Sequence, residues 1–126
     1  MKNFFLCLLT FLCVSAYSQL SSDSISGKWT NQKEQAQVWD FKENGRFELI
    51  VNCGGPCEGS DTTFYVDEAG SWEIKNNQVI VTLNENNGKP FTPAQKLILT
   101  EIKLQNKNFT FVMLDERSEI NIALRK

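Results

Sequence analysis

From residue 25 onward, apolar and polar side chains alternate in short runs, and most runs end in Gly, Asn, Asp or Pro. Successive side chains of a strand point to opposite faces, so this rhythm predicts half-buried β-strands joined by turns. Ile25, Gly27 and Trp29 share one face of a first strand, and Trp39 and Phe41 one face of a second. Asn44-Gly45 follows, two residues that accept positive φ, and then Phe47, Leu49 and Val51 alternate with Arg46, Glu48 and Ile50. Residues 37–51 therefore predict a hairpin. The Gly- and Cys-rich stretch 52–61 predicts a loop, 62–66 a strand with Phe64 and Val66 on one face, and 67–70 a turn. Trp72 and Ile74 share a face before a tight turn at Asn76-Asn77, and Val79, Val81 and Leu83 continue the apolar face. The polar stretch 84–95, with Gly88, Pro90 and Pro93, predicts a longer connection. Ile98, Thr100, Ile102 and Leu104 then alternate with Leu97, Leu99, Glu101 and Lys103, followed by Phe109, Phe111 and Met113, and finally Ile120, Ile122 and Leu124.

No window carries helical periodicity; residues 31–37 contain helix formers without an apolar face and predict a wide hairpin loop or one helical turn. Consecutive hairpins leave open edges that invite aggregation, and closing the sheet on itself removes them. The expectation is an all-β fold: an antiparallel up-and-down meander barrel of about eight or nine strands.

The first residues break this rhythm. Met1-Lys2-Asn3 is short and basic, Phe4 to Val14 is apolar except for Thr10, and Ala16 and Ser18 are small residues two apart. This is the pattern of a signal peptide spanning residues 1–18, with cleavage near Ser18-Gln19. The apolar run is shorter than the ~20 residues a membrane-spanning helix needs, so no membrane span is expected. Bulky Phe11 and Leu12 before Cys13 argue against a lipid-attachment site. Residues 19–24 read as a loose polar tail and 25–126 as a single domain in an exported, periplasmic or secreted protein.

Charge and composition narrow the function. The full chain of 126 residues has a net charge of −2, and the leader removes one Lys and no acid. The remaining weak negative charge offers no basic stripe for nucleic acid. Histidine is absent, which excludes Ser-His-Asp and Cys-His catalysis and imidazole-ligated zinc. The expectation is a non-enzymatic protein with no cofactor.

Cys53-Gly54-Gly55-Pro56-Cys57 carries the two cysteines outside the leader, which takes Cys7 and Cys13 with it. In an oxidising compartment Cys53 and Cys57 are expected to form a disulfide, and closing so short a loop is worth roughly 2 kcal/mol. Two thiolates can also hold a soft metal such as Cu(I) or act as a redox sensor, and a rigid loop of this kind can serve an extracytoplasmic hydrolase inhibitor as its wedge. Asp115, Glu116 and Glu119 read as a solvated turn. The aromatic set, Trp29, Trp39, Trp72, Phe47, Phe64, Phe109 and Phe111, can either plug a barrel of this size or line a pocket in it.

Ser26-Gly27-Lys28-Trp29, then Trp39-Asp40-Phe41-Lys42-Glu43-Asn44-Gly45-Arg46-Phe47, then Gly70-Ser71-Trp72-Glu73-Ile74 with Asn76-Asn77 and Val79-Ile80-Val81, form an ordered series. In this order the chain resembles small lipocalin-like domains of bacterial envelope proteins, within the calycin group of barrels. The resemblance covers roughly residues 25–124 and implies a barrel floor built on Gly27 and Trp29. It also implies a cation over the Trp29 indole, from Arg125 or else Arg117, worth about 0.5–2 kcal/mol. The implied interior is Phe41, Phe47, Leu49, Phe64, Trp72, Ile74, Val81, Phe109 and Phe111. The implied function is binding of a small apolar ligand or a protein partner by a monomer. An interior space of about 300 Å³ or more would favour the ligand.

Overall fold

The structure, a computed structural model, describes residues 20–34, 36–53, 55, 63–115 and 118–126. The expected leader, Gly54, Cys57, Glu116 and Arg117 lie outside these residues. One four-residue helix, α1 (Ser22–Ile25), precedes the strands β1 (Gly27–Asn31), β2 (Gln37–Phe41), β3 (Arg46–Asn52) and β4 (Phe64–Lys75). The chain continues through β5 (Gln78–Asn86), β6 (Lys89–Gln105), β7 (Asn108–Leu114) and β8 (Glu119–Arg125). Each strand pairs antiparallel with the next, and β8 returns to β1 through Thr30↔Arg125 and Asn31↔Leu124. The result is a closed up-and-down barrel of eight strands. No helix among the described residues is long and apolar enough to cross a membrane.

The turns follow the local chemistry. Gly45 sits at φ +88°, and Arg46 N–H donates to Asn44 Oδ1 at 3.0 Å, so the Asn-Gly pair closes the β2–β3 hairpin as its sequence predicts. Asn76 and Asn77, both near φ +60°, do the same between β4 and β5.

Four departures from strict alternation reshape the rest. Ile25 ends α1 instead of opening β1, and is wholly buried. The expected turn at 67–70 is absent, because β4 runs unbroken to Lys75. It accommodates one extra residue opposite the Leu49/Ile50 step, a β-bulge at Asp67. One extra residue reverses which side chains face inward. Phe64 and Val66 therefore pair with Asn52 and Ile50 on the outer face, and Phe64, expected inside, is 51% exposed.

The expected connection 84–95 is also mostly strand. Asn86 pairs with Lys89 across Asn87-Gly88, whose φ values of +52° and +80° make a two-residue hairpin. Pro93 falls in the 91–94 stretch that the β5–β6 register skips, and Pro90, the partner of Glu85, precedes the part of β6 that pairs with β7, which begins at Ile98, so neither has a donor to supply on that side. In β6, Glu101 at φ +51° marks a bulge between Thr100 and Lys103. Leu97 and Leu99 point inward before it; Leu104, across from buried Phe109, points inward after it.

All hairpins of one end (42–45, 76–77, 106–107) lie with α1 and Lys126, and Asn31, Asn52, the 87–88 hairpin and Leu114 lie at the other. At the first end the interior is filled with rings. Trp29 meets Phe109 edge-on at 5.2 Å, Phe41 meets Trp72 at 5.4 Å and Phe47 at 5.0 Å, and Phe109 meets Phe111 at 4.9 Å. Each indole N–H here finds a backbone acceptor: Trp29 donates to Ile25 O at 2.7 Å and Trp72 to Lys42 O at 2.8 Å. Large rings thus stay buried without an unpaired polar atom.

Candidate ligand-binding site

Beyond Trp39 the large rings give out. Leu49, Leu83, Leu97 and Met113 replace them, and a cavity of about 400 Å³ opens at the end opposite α1. Trp39 forms part of its lining, packed against Phe47 at 5.8 Å and Phe111 at 5.6 Å. The wall includes Ile122 and Ala123 of β8, close to the seam where β8 rejoins β1 by only two residue pairs.

Polar groups sit above this apolar base. Trp39 Nε1 donates to Gln37 Oε1 at 2.8 Å, and Asn31 Nδ2 donates to the same oxygen at 2.9 Å. Asn31 Oδ1 accepts from Lys33 N–H at 3.0 Å and Glu34 N–H at 3.2 Å, which holds these two residues at the cavity edge. An indole nitrogen can only donate, so Gln37 must turn its oxygen to Trp39, leaving its amide N–H groups as donors to something else.

Glu68 is the charged group on the barrel wall here. It lies opposite Leu49 on β4, half-buried, and lines the cavity. Burial, reinforced by neighbouring Asp67, raises its carboxyl above the ordinary glutamate range, although Asn86 supplies a hydrogen bond that opposes the shift. The four ion pairs among the described residues do not involve Glu68. They lie instead on the outer face, where Lys42 and Arg46 bridge Glu48 at 3.0 and 3.3 Å and Arg46 reaches Glu85 at 3.0 Å. Burial works to raise Glu48 too, but hydrogen bonds and charge from Lys42 and Arg46 outweigh it and hold that carboxyl low.

The residues proposed from sequence divide accordingly. Phe41, Phe47, Trp72, Val81, Phe109 and Phe111 are buried together, and Leu49 and Ile74 are half-buried against them. Gly27, at φ +121°, enters β1 beside Trp29. The cation over the Trp29 ring is Lys126, with Nζ 4.8 Å from the centroid and donating to Ser26 O at 3.1 Å. Arg125 is exposed and pairs with Thr30 on the outer face, because the alternation that buries Leu124 turns its neighbour outward. Cys53 follows β3, with its amide donating to Thr63 O at 2.9 Å; the metal, redox and inhibitor alternatives depend on Cys57, which lies outside the described residues. Among the described residues no group of three or more His, Cys, Asp or Glu could hold a metal ion.

Asn31, Gln37 and Glu68 are not prominent in the sequence, yet a signal existed. Each has the inward parity of its own strand, two residues beyond Trp29, two before Trp39 and four before Trp72. Polar residues at core positions mark the point where a barrel interior stops being a core. No family model, curated protein or solved structure matches the chain.

Proposed function

We propose that this protein is a non-enzymatic, exported barrel of the lipocalin-like, calycin type that binds one small, largely apolar ligand in the mouth cavity. The observation that carries the reading is the cavity itself. At about 400 Å³ it falls within the size range of small-molecule sites, about 300–1,000 Å³. It combines an apolar base with a few convergent polar groups, the arrangement that supplies burial energy and orientation together. The Gly-x-Trp strand at Gly27-Lys28-Trp29 and the order of the following motifs support the family. Export rests on the leader-like residues 1–18, and a Cys53–Cys57 disulfide on the short Gly-Gly-Pro spacing between them.

Trp39 reports directly on occupancy. Titration with fatty acids, retinoid-like dyes and haem, followed by tryptophan fluorescence, is expected to give a saturable change with at least one ligand. Leu83→Trp, which fills the cavity, is expected to abolish it. Silence across the panel would sink the small-ligand reading.

A further inference from the structure

The mouth cavity contains one feature that a purely apolar ligand leaves unused. Glu68 lines it from β4, half-buried, with Leu49 directly opposite and Asn86 as its hydrogen-bond partner. No cation pairs with it among the described residues. The other charged groups at the cavity are Lys33 and Glu34 on the β1–β2 connection and Asp115 at the β7–β8 turn, with Asp67 beside Glu68 on the chain. Lys33 and Glu34 are exposed and of opposite sign, so water screens them and they largely offset one another. Asp115 Oδ1 accepts from Ser118 N–H at 2.9 Å and so helps hold its own turn. The balance left inside the cavity is negative.

We propose that the preferred ligands are small amphiphiles carrying a protonated amine, with Glu68 as the carboxylate that anchors the ammonium and the Trp39–Leu83–Leu97 base taking the hydrocarbon. This deepens the binding reading and rests on it. An ammonium ion placed beside Glu68 replaces the water that the carboxylate loses on burial. Such a charge-assisted hydrogen bond is about twice as strong as a neutral one. A carboxylate ligand of equal length meets like charge instead. The raised carboxyl agrees with this arrangement, since a nearby ammonium stabilises the ionised form that burial disfavours.

Hexylamine, hexanol and hexanoate share one chain and differ in head-group charge. Titrating each into the whole protein by calorimetry and tryptophan fluorescence tests the idea. Hexylamine is expected to bind about tenfold more tightly than hexanol, with hexanoate weakest. Glu68→Gln should shrink the amine-over-alcohol preference to about twofold. In the unsubstituted protein, acidification that protonates Glu68 should weaken hexylamine relative to hexanol, a readout that survives if the variant folds poorly. Equal affinity for amine and alcohol, or an undiminished preference in Glu68→Gln, overturns the amine inference while leaving the mouth as a binding site. No binding by any of the three overturns the amine inference, and silence of the wider ligand panel as well overturns both.

Discussion

Gly70 lies on the inward face of β4, between Phe47 on one side and Leu83 on the other, at the step where the β4–β5 register shifts. Its backbone is not in the left-handed region, so Ala is allowed there on torsional grounds. Space forbids it. A Cβ built on Gly70 would fall on the Thr82 carbonyl oxygen, 2.8 Å from Thr82 C and 3.0 Å from Leu83 Cα. All three atoms are backbone, so no rotamer change makes room; β5 must move away from β4. Over-packing that side chains can absorb costs about 1–3 kcal/mol, and a backbone clash belongs at or above the top of that range. For a domain near 100 residues, each kcal/mol moves Tm by roughly 4–8 °C, so Gly70→Ala should lower it by about 12–24 °C. Gly88→Ala is the comparison: it has open space but φ +80°, and should cost only about 1–2 kcal/mol. Thermal unfolding followed by far-UV circular dichroism, with urea midpoints as a check, measures both. A Gly70→Ala protein melting within about 4 °C of its parent would show that β4 and β5 do not approach this closely, and the register argument would fail with it.

Other consequences are as specific. Lys126→Met should destabilise by about 0.5–1 kcal/mol through loss of the cation over Trp29, while Arg125→Met should stay within about 0.5 kcal/mol; the reverse order in urea titrations would restore Arg125 as the partner. Phe64→Ser should change stability far less than Phe41→Ala, for which about 3–5 kcal/mol is expected at a fully buried ring; equal losses would place Phe64 inside. The two glutamates oppose one another in pH. Glu68 is raised in the folded state, so its ionisation costs stability as pH rises from the unfolded value through the folded one, and Glu68→Gln should melt higher than the parent at neutral pH. Glu48 is lowered, so its contribution is present above the unfolded value and is lost as pH falls through the folded one; Glu48→Gln should flatten the acid limb of a Tm-against-pH curve.

The alternation of Phe47, Leu49 and Val51 after Asn44-Gly45 gives a hairpin from residues alone, because local turn chemistry and face burial agree there. Phe64 fails for a different reason. A bulge is a single backbone residue with no obligatory side-chain type, so Asp67 does not announce it, and the periodicity continues visibly on both sides while the inward set changes parity. Glu101 repeats the effect within a run of apolar residues that reads equally well in either register. Residues 84–95 mislead through composition: Pro90 and Pro93 suggest a loop, whereas the Asn87-Gly88 pair between them and β5 is the decisive hairpin signal.

The position of the cavity follows from a gradient of side-chain size that runs the same way on neighbouring strands. Toward the mouth, inward residues step from Phe41 through Trp39 to Gln37, from Phe47 through Leu49 to Val51, and from Trp72 through Gly70 to Glu68. β7 passes from Phe109 through Phe111 to Met113, and β1 from Trp29 to Asn31. Eight strands enclose a space that side chains just fill. Space for a ligand therefore arises only where several strands lose volume at the same height, which one strand cannot reveal. The polar residues arrive at the same height as the smaller ones, so volume and hydrogen-bonding capacity appear together. A barrel stabilised by packing alone would gain nothing from putting a carboxylate at that level, where burial opposes its charge; a barrel that holds a ligand gains a means of choosing it.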